Sequence, residues 1–543
     1  MISPFEAVVT ELRIAQHHVD ANSASRQQAL LTHLCTMPLR ETPALLQYYE
    51  VLLFMSAYPA TSDLLTVVDA ELLRLQRYLR ARRGRHATAS MNTGLPYVSI
   101  TMQFSHDCTR WLLQQPDCRV TLDAFEDETL DLNAVLRLTL PLMERPHTTA
   151  ELSNNELLDL LNIRPARRLE VIIAELSRLD ERPYVKDHLY DALGVQLCVT
   201  PTTARFSLAG NRLPMARTFL HAAPAEAFDA RTLMNSALPP ARTLNANDRD
   251  TVTCVVRTAM VLTSRETDPT TYLDAESLRV FDLERGVSVA VYGMTPDRQL
   301  GLESYVGFTA FKNGLPVAYG GAWVLGQRSE FGMNIFEPYR GGESGFLMCQ
   351  LLRVYRQLFG VSYFEVDAHQ FGLDNPDGIN SGAFWFYYKY GFRPVSAKLA
   401  TLARREKARL KTRRGLRTPK PMLRQFTTSN VALRFNDALP PALSSVTTRI
   451  TRMIGQSYSG NRVTAEEECV RKFENLVSLP RRMNAAERRV LVDVALMAAA
   501  LNVADRTRLQ LLATMVNVKP KDLYGYQQLV TEFFAQPATV SPP

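Results

Sequence analysis

Tyr339-Arg340-Gly341-Gly342-Glu343-Ser344-Gly345 and Asn380-Ser381-Gly382-Ala383-Phe384-Trp385-Phe386-Tyr387-Tyr388-Lys389-Tyr390-Gly391-Phe392 are the two blocks whose reading decides the fold. Residues 331–336 alternate as a strand that enters the first block, and 346–359 carry apolar residues at helical spacing. Residues 363–369 read as the next strand and 381–390 as an aromatic helix that stops at Gly391-Phe392. An Arg/Gly-rich turn between strand and helix builds an anion cradle. Side chains are missing there, and backbone N–H groups converge at the positive end of the helix dipole. The second block adds a phenol, so the pair predicts a phosphate-bearing cofactor beside a proton donor.

Upstream of the first block the pattern has period two. Residues 278–282 and 287–292 flank Arg285-Gly286, and 305–311 and 317–325 flank Asn313-Gly314, a strong hairpin signal. Downstream, 396–413 read as a basic helix capped by Ser396 and ended by Gly415. Residues 3–82 read as helices, with 44–58 and 61–83 amphipathic, and a turn-rich stretch closes this block. Residues 97–235 are mixed, with helical runs at 133–142, 155–162 and 167–179 and a strand at 195–200. Helix, helix, strand is compatible with a winged helix, but no basic recognition face accompanies it. Ala237-Leu238-Pro239-Pro240 marks a linker and Leu439-Pro440-Pro441 opens a C-terminal helical block. The expected division is 1–90 helical, 91–238 mixed and mainly helical, 245–425 the α/β unit holding both blocks, and 439–543 helical.

At 543 residues the chain exceeds one core, and 46% hydrophobic with 22% charged residues is ordinary for a soluble protein. The start, with Ser3 as cap, Pro4 in the first turn and Glu6 closing a capping box, reads as a helix and not as a signal peptide. No uncharged apolar run approaches about 18 residues, so no membrane span is expected. Seven scattered cysteines without a Cys-x-x-Cys pair predict reduced thiols and a cytoplasmic location, and no structural zinc site or other metal is expected. Net charge is +7, but 398–424 alone carries eleven Lys/Arg (398, 404, 405, 407, 409, 411, 413, 414, 417, 420, 424) against Glu406. That segment is +10, which leaves −3 for the rest. Such a stretch suits nucleic acid or an acidic partner through counterion release, though little aromatic interleaving argues against base stacking. The bland alternative is a solvated charged face.

The order of antiparallel strands, then strand, Gly turn, helix, strand and helix, with Asn380, Ala383, Tyr387, Gly391 and Phe392 at their spacing, resembles the GNAT superfamily of acyl-CoA-dependent N-acyltransferases. The resemblance covers about 245–425. It implies a GNAT-like central mixed sheet, an α/β (α+β) core between helical domains, and transfer of an acetyl or other acyl group from CoA to an amine on a small molecule or protein. The first block matches in part: Arg340 and Gly345 fit, while Glu343 stands where the family has Gly. A carboxylate about 4 Å from a phosphate charge is opposed by about 1 kcal/mol in water-like surroundings and about 4 near a protein surface. The alternative is therefore a catalytically weakened binding or regulatory module that uses the basic helix as its contact.

The resemblance also implies roles. Backbone N–H groups of Asn334, Ile335 and Phe336 would meet the acyl carbonyl, and Arg340, Gly341, Gly342, Glu343, Ser344 and Gly345, with Asn380, would line the cofactor. Tyr387 would protonate the departing thiolate, since a phenol pKa of about 10 lies near that of a thiol. Against it stands a plain core tyrosine in a helix where seven of the nine residues 384–392 are aromatic. For a base, strand alternation expects Glu365, Asp367 and His369 on one face. Glu337, where the strand meets the cradle, is a further candidate.

Overall fold

The computed structural model describes residues 3–18, 21–222, 227–413, 415–480 and 482–536. Arg414 of the basic stretch lies outside them. The described chain is mixed α/β. It opens with four helices, α1 (Pro4–Ala15), α2 (Ala21–Thr36), α3 (Pro43–Ala57) and α4 (Ser62–Ala81). Ser3 caps α1 by accepting from the Glu6 N–H, with Pro4 in the first turn. Helix α3 is buried on nearly every side, from Ala44 to Ala57, so it is an internal helix and not a surface one.

Two sheets form among the described residues. The smaller joins β1 (Ile100–Gln103), β2 (Cys118–Phe125) and β3 (Val195–Pro201) in the order β1-β3-β2, all antiparallel. The sequence reading saw only the last of these, because β1 and β2 lack clean alternation. The larger sheet comprises β4 (Arg279–Asp282), β5 (Val287–Tyr292), β6 (Ser304–Lys312), β7 (Leu315–Leu325), β8 (Arg328–Ile335), β9 (Tyr363–Val366), β10 (Arg393–Pro394) and β11 (Val431–Arg434). Its order is β10-β11-β9-β8-β7-β6-β5-β4. Strands β4 to β8 form an antiparallel meander. The β6–β7 turn uses Asn313 at φ 47° and Gly314 at φ 80°, the double positive φ that matches the twist of a two-residue hairpin. The sheet runs past residue 425 to Arg434, because β11 inserts between β9 and β10.

After β8 the helix Ser344–Phe359 crosses the sheet and returns the chain as β9, parallel to β8. The two strands pair only over 328–330 with 363–365. Beyond that point β8 continues beside β7 as far as Ile335, while β9 stops at Val366. The sheet therefore opens at the carboxyl ends of its two parallel strands. The residues of α1–α4 share one apolar core with β5–β9 and the helix Ser344–Phe359, so the N-terminal helices roof this opening. A second core is built on the small sheet and its helices, and a third joins the C-terminal helices.

Candidate functional site

The opening between β8 and β9 leads into a cavity of about 780 Å³. Of the residues that the sequence singled out, Asn334, Ile335, Phe336, Glu337, Arg340, Ser344, His369 and Tyr387 line it. The register decides which backbone groups face the opening. Phe336 donates its N–H to Val317 O at 3.0 Å, so in the β7–β8 ladder the N–H groups of Phe336 and Asn334 are turned toward β7. Alternation turns those of Met333 and Ile335 the other way, into the gap that β9 leaves. Of the three expected carbonyl contacts, Ile335 alone keeps a free donor.

Tyr387 sits on the short helix Ala383–Lys389, only 4% exposed and packed edge-on against Phe371, Phe386 and Phe392. Its hydroxyl has no hydrogen-bond partner among the described residues. The oxygen is not sealed, and it opens on the cavity. Burial pushes the phenol pKa up, which keeps it protonated at neutral pH but moves it away from the thiol range that proton delivery calls for. A plain core tyrosine would reach a carbonyl, and this one does not.

Several expectations fail on local geometry. The strand holding Glu365, Asp367 and His369 was expected to run to residue 369. It ends at Val366 because the Asp367 carboxylate accepts from the His369 N–H at 2.8 Å and starts a 3-10 turn, Ala368–Phe371. The three groups consequently do not share a face. Glu365 accepts from Arg328 and, at 2.9 Å, from Asn430, which ties β9 to its neighbours away from the cavity. His369 does reach the cavity. Its Nδ1 donates to Leu373 O at 2.9 Å, which leaves Nε2 as an unpaired acceptor. Asn380 was expected to open the last helix. Instead the helix Pro376–Ser381 ends there, Gly382 takes a left-handed φ of 68°, and the aromatic helix starts afresh. Asn380 is exposed and accepts from Lys420 Nζ at 2.8 Å, while Asn375 lines the cavity.

The glycine turn is not an open cradle. An added Cβ at Gly341 would lie 3.0 Å from the His17 ring, at Gly342 2.7 Å from the Tyr58 ring, and at Gly345 1.7 Å from the Tyr390 hydroxyl. Aromatic side chains thus press on all three glycines. Glu343 turns neither to the cavity nor to solvent. Its carboxylate accepts from Arg285 at 2.6 Å and from Lys312 Nζ at 2.6 Å. Lys312 is 2% exposed at its side chain and also donates to Arg285 O, and burial pushes its pKa down to about 8. His221 completes the cluster. Arg285 donates to its Nδ1 at 3.3 Å, and burial with the adjacent Lys312 pulls its pKa down to about 3. Among the cradle residues only Arg340 and Ser344 face the cavity, and the Ser344 N–H at the start of the helix Ser344–Phe359 is already taken up by Gly342 O at 2.9 Å.

Sequence reasoning missed Glu50 of α3, Arg265, Gln370 and Asn375, all on the cavity wall. Burial first, and then the neighbouring Glu337, holds the Glu50 carboxyl above its ordinary range. Nothing local marks it, because a Glu in an amphipathic helix reads as surface. The ten described cations of 398–424 are all exposed, but Arg409 is spent on Glu406, which it grips with both Nε and Nη2 at 2.7 Å. Among the described residues no group of three or more His, Cys, Asp or Glu is placed to hold a metal ion, and no helix is long and apolar enough to cross a membrane. Compared with known proteins, the chain matches no family profile, no curated protein and no solved structure.

Proposed function

We propose that the chain is an acyl-CoA-dependent N-acyltransferase of the GNAT type, moving an acetyl or longer acyl group to an amine. The observation that carries this reading is Tyr387, an enclosed phenol without a protein partner, opening on the cavity toward which the Ile335 N–H also points. A mixed sheet that splays after the Gly turn's strand is the arrangement the resemblance implies. The thioester carbonyl would take the Ile335 N–H, a donor aimed where the oxyanion develops. The amine nitrogen would attack the carbonyl carbon and give up its proton to a carboxylate or to His369 Nε2. As the C–N bond forms and the C–S bond breaks, the thiolate would take the Tyr387 proton, which returns through solvent. The Arg340 guanidinium and the Ser344 hydroxyl, at the positive end of the helix Ser344–Phe359, suit one phosphate group of the donor.

One observation favours the second reading, a binding or regulatory module of the same fold. The glycine turn is pressed by His17, Tyr58 and Tyr390, and Glu343 occupies the position of the family's middle glycine. Calorimetric titration of the full chain with acetyl-CoA and with hexanoyl-CoA separates the two. Binding of either that is lost in Arg340→Ala supports transfer; no binding of either at millimolar ligand leaves the module.

A further inference from the structure

The cavity holds two carboxylates that the fold does not use. Glu50 and Leu46 lie one turn apart on α3 and face the same wall, and Glu337 faces them from the end of β8. Neither the Glu50 nor the Glu337 carboxylate makes a hydrogen bond or ion pair among the described residues; Glu50 is half-buried and Glu337 exposed. Arg13 is the cation that acts on Glu50, and it does not offset burial and the like charge of Glu337. Two other half-buried carboxylates are paired, Glu343 with Arg285 and Lys312 and Glu365 with Arg328, while Glu303 and Asp493 are unpaired among the described residues, like Glu50, but lie outside this cavity. Arg265 and Arg340 line the same cavity, but neither forms an ion pair with Glu50 or Glu337, so the half-buried Glu50, with the exposed Glu337 opposite, keeps a negative charge that a cation would satisfy. A second, independent observation marks the same space as a ligand site: the Tyr387 hydroxyl, on a side chain 4% exposed, has no partner and opens into it. Leu46, Leu208, Leu262 and Met333 line the remaining wall with apolar surface.

We propose that Glu50 and Glu337 form the acceptor subsite and that it takes a primary amine in its protonated form, carried on an apolar body. The chemistry rests on the transfer reading. The ammonium pairs with the two carboxylates and passes one proton to Glu50, which leaves the nitrogen lone pair free to attack. The second proton leaves after the C–N bond has formed, to Glu337 or water. One ammonium and one thioester become one amide, one thiol and one released proton.

The test needs no acyl donor. The full chain is titrated calorimetrically with n-butylamine and with 1-butanol, its uncharged counterpart. The amine is expected to bind about tenfold or more tightly than the alcohol, and Glu50→Gln and Glu337→Gln each to weaken the amine by about tenfold while leaving the alcohol unchanged. Equal binding of the two probes, no binding of butylamine, or unchanged amine affinity in both variants overturns the subsite. Because no acyl-CoA is present, amine binding that survives a failed acetyl-CoA titration upholds the subsite and removes the transfer reading. The converse pattern removes the subsite alone.

Discussion

Glu343 is the residue whose replacement tests the reasoning about the glycine turn most sharply. If its carboxylate opposed phosphate, neutralising it would cost the fold nothing. The structure gives it a different task, as the counter-charge for Arg285 and for a Lys312 side chain that is 2% exposed. Even with that anion present, Lys312 is pushed down to about 8 from 10.5, which at about 1.4 kcal/mol per pKa unit is a strain of about 3 kcal/mol on the protonated form. Glu343→Gln keeps the size and one hydrogen bond but strands the ammonium. Breaking a buried pair on one side costs about 3–5 kcal/mol, so the urea midpoint at pH 7 should fall by that equivalent. Adding Lys312→Met removes the stranded charge and should recover at least half of the loss. A Glu343→Gln protein within about 0.5 kcal/mol of the parent, the range of an ordinary surface substitution, would refute the assignment.

Two further outcomes follow from the same geometry. His221 has a folded pKa near 3 against an ordinary 6.5, so between those values the unfolded chain binds a proton that the folded chain refuses. Stability should therefore drop as pH falls from about 6.5 toward 3, by at most about 1.4 kcal/mol per pH unit from this group, and His221→Gln should remove that share. An unchanged pH profile of the urea midpoint in the variant contradicts the burial of a neutral ring. In the basic stretch, Arg405, Lys411 and Arg413 have no partners among the described residues and Arg409 does. Replacing the three free cations by Ala should flatten the log–log salt dependence of binding to a labelled single strand by about 2. Identical slopes would leave only a solvated helix.

The hairpin at Asn313-Gly314 and the strand–turn–helix–strand run were legible in the sequence, because they are written locally, in turn chemistry and in apolar period. The register of β8 was not. Which N–H of Asn334, Ile335 and Phe336 faces the opening depends on pairing with β7, and a one-residue slip reverses the answer. Asp367 misled because its side chain competes with the strand it was assigned to, capping the turn that ends β9. Glu343 read as a defect in a phosphate cradle because Arg285 and Lys312 lie 58 and 31 residues away along the chain. Glu50 stayed hidden for the same reason. The wall it helps to form exists only once α3 roofs the open end of the sheet. Tyr387 was found by spacing alone, and its free hydroxyl is the feature that spacing could not supply.

That hydroxyl makes the most direct measurement simple. Tyr387→Phe removes an oxygen that bonds nothing in the protein, so stability should be unchanged within about 0.5 kcal/mol, unlike the loss of a satisfied buried phenol. The readout is thiol release from acetyl-CoA by the full chain with a primary amine, compared with the parent and with Tyr388→Phe as control. Proton delivery by Tyr387 predicts a fall in turnover of about 10²–10⁴-fold in the first variant, with acetyl-CoA affinity retained and the control active. Full turnover in Tyr387→Phe would contradict the account.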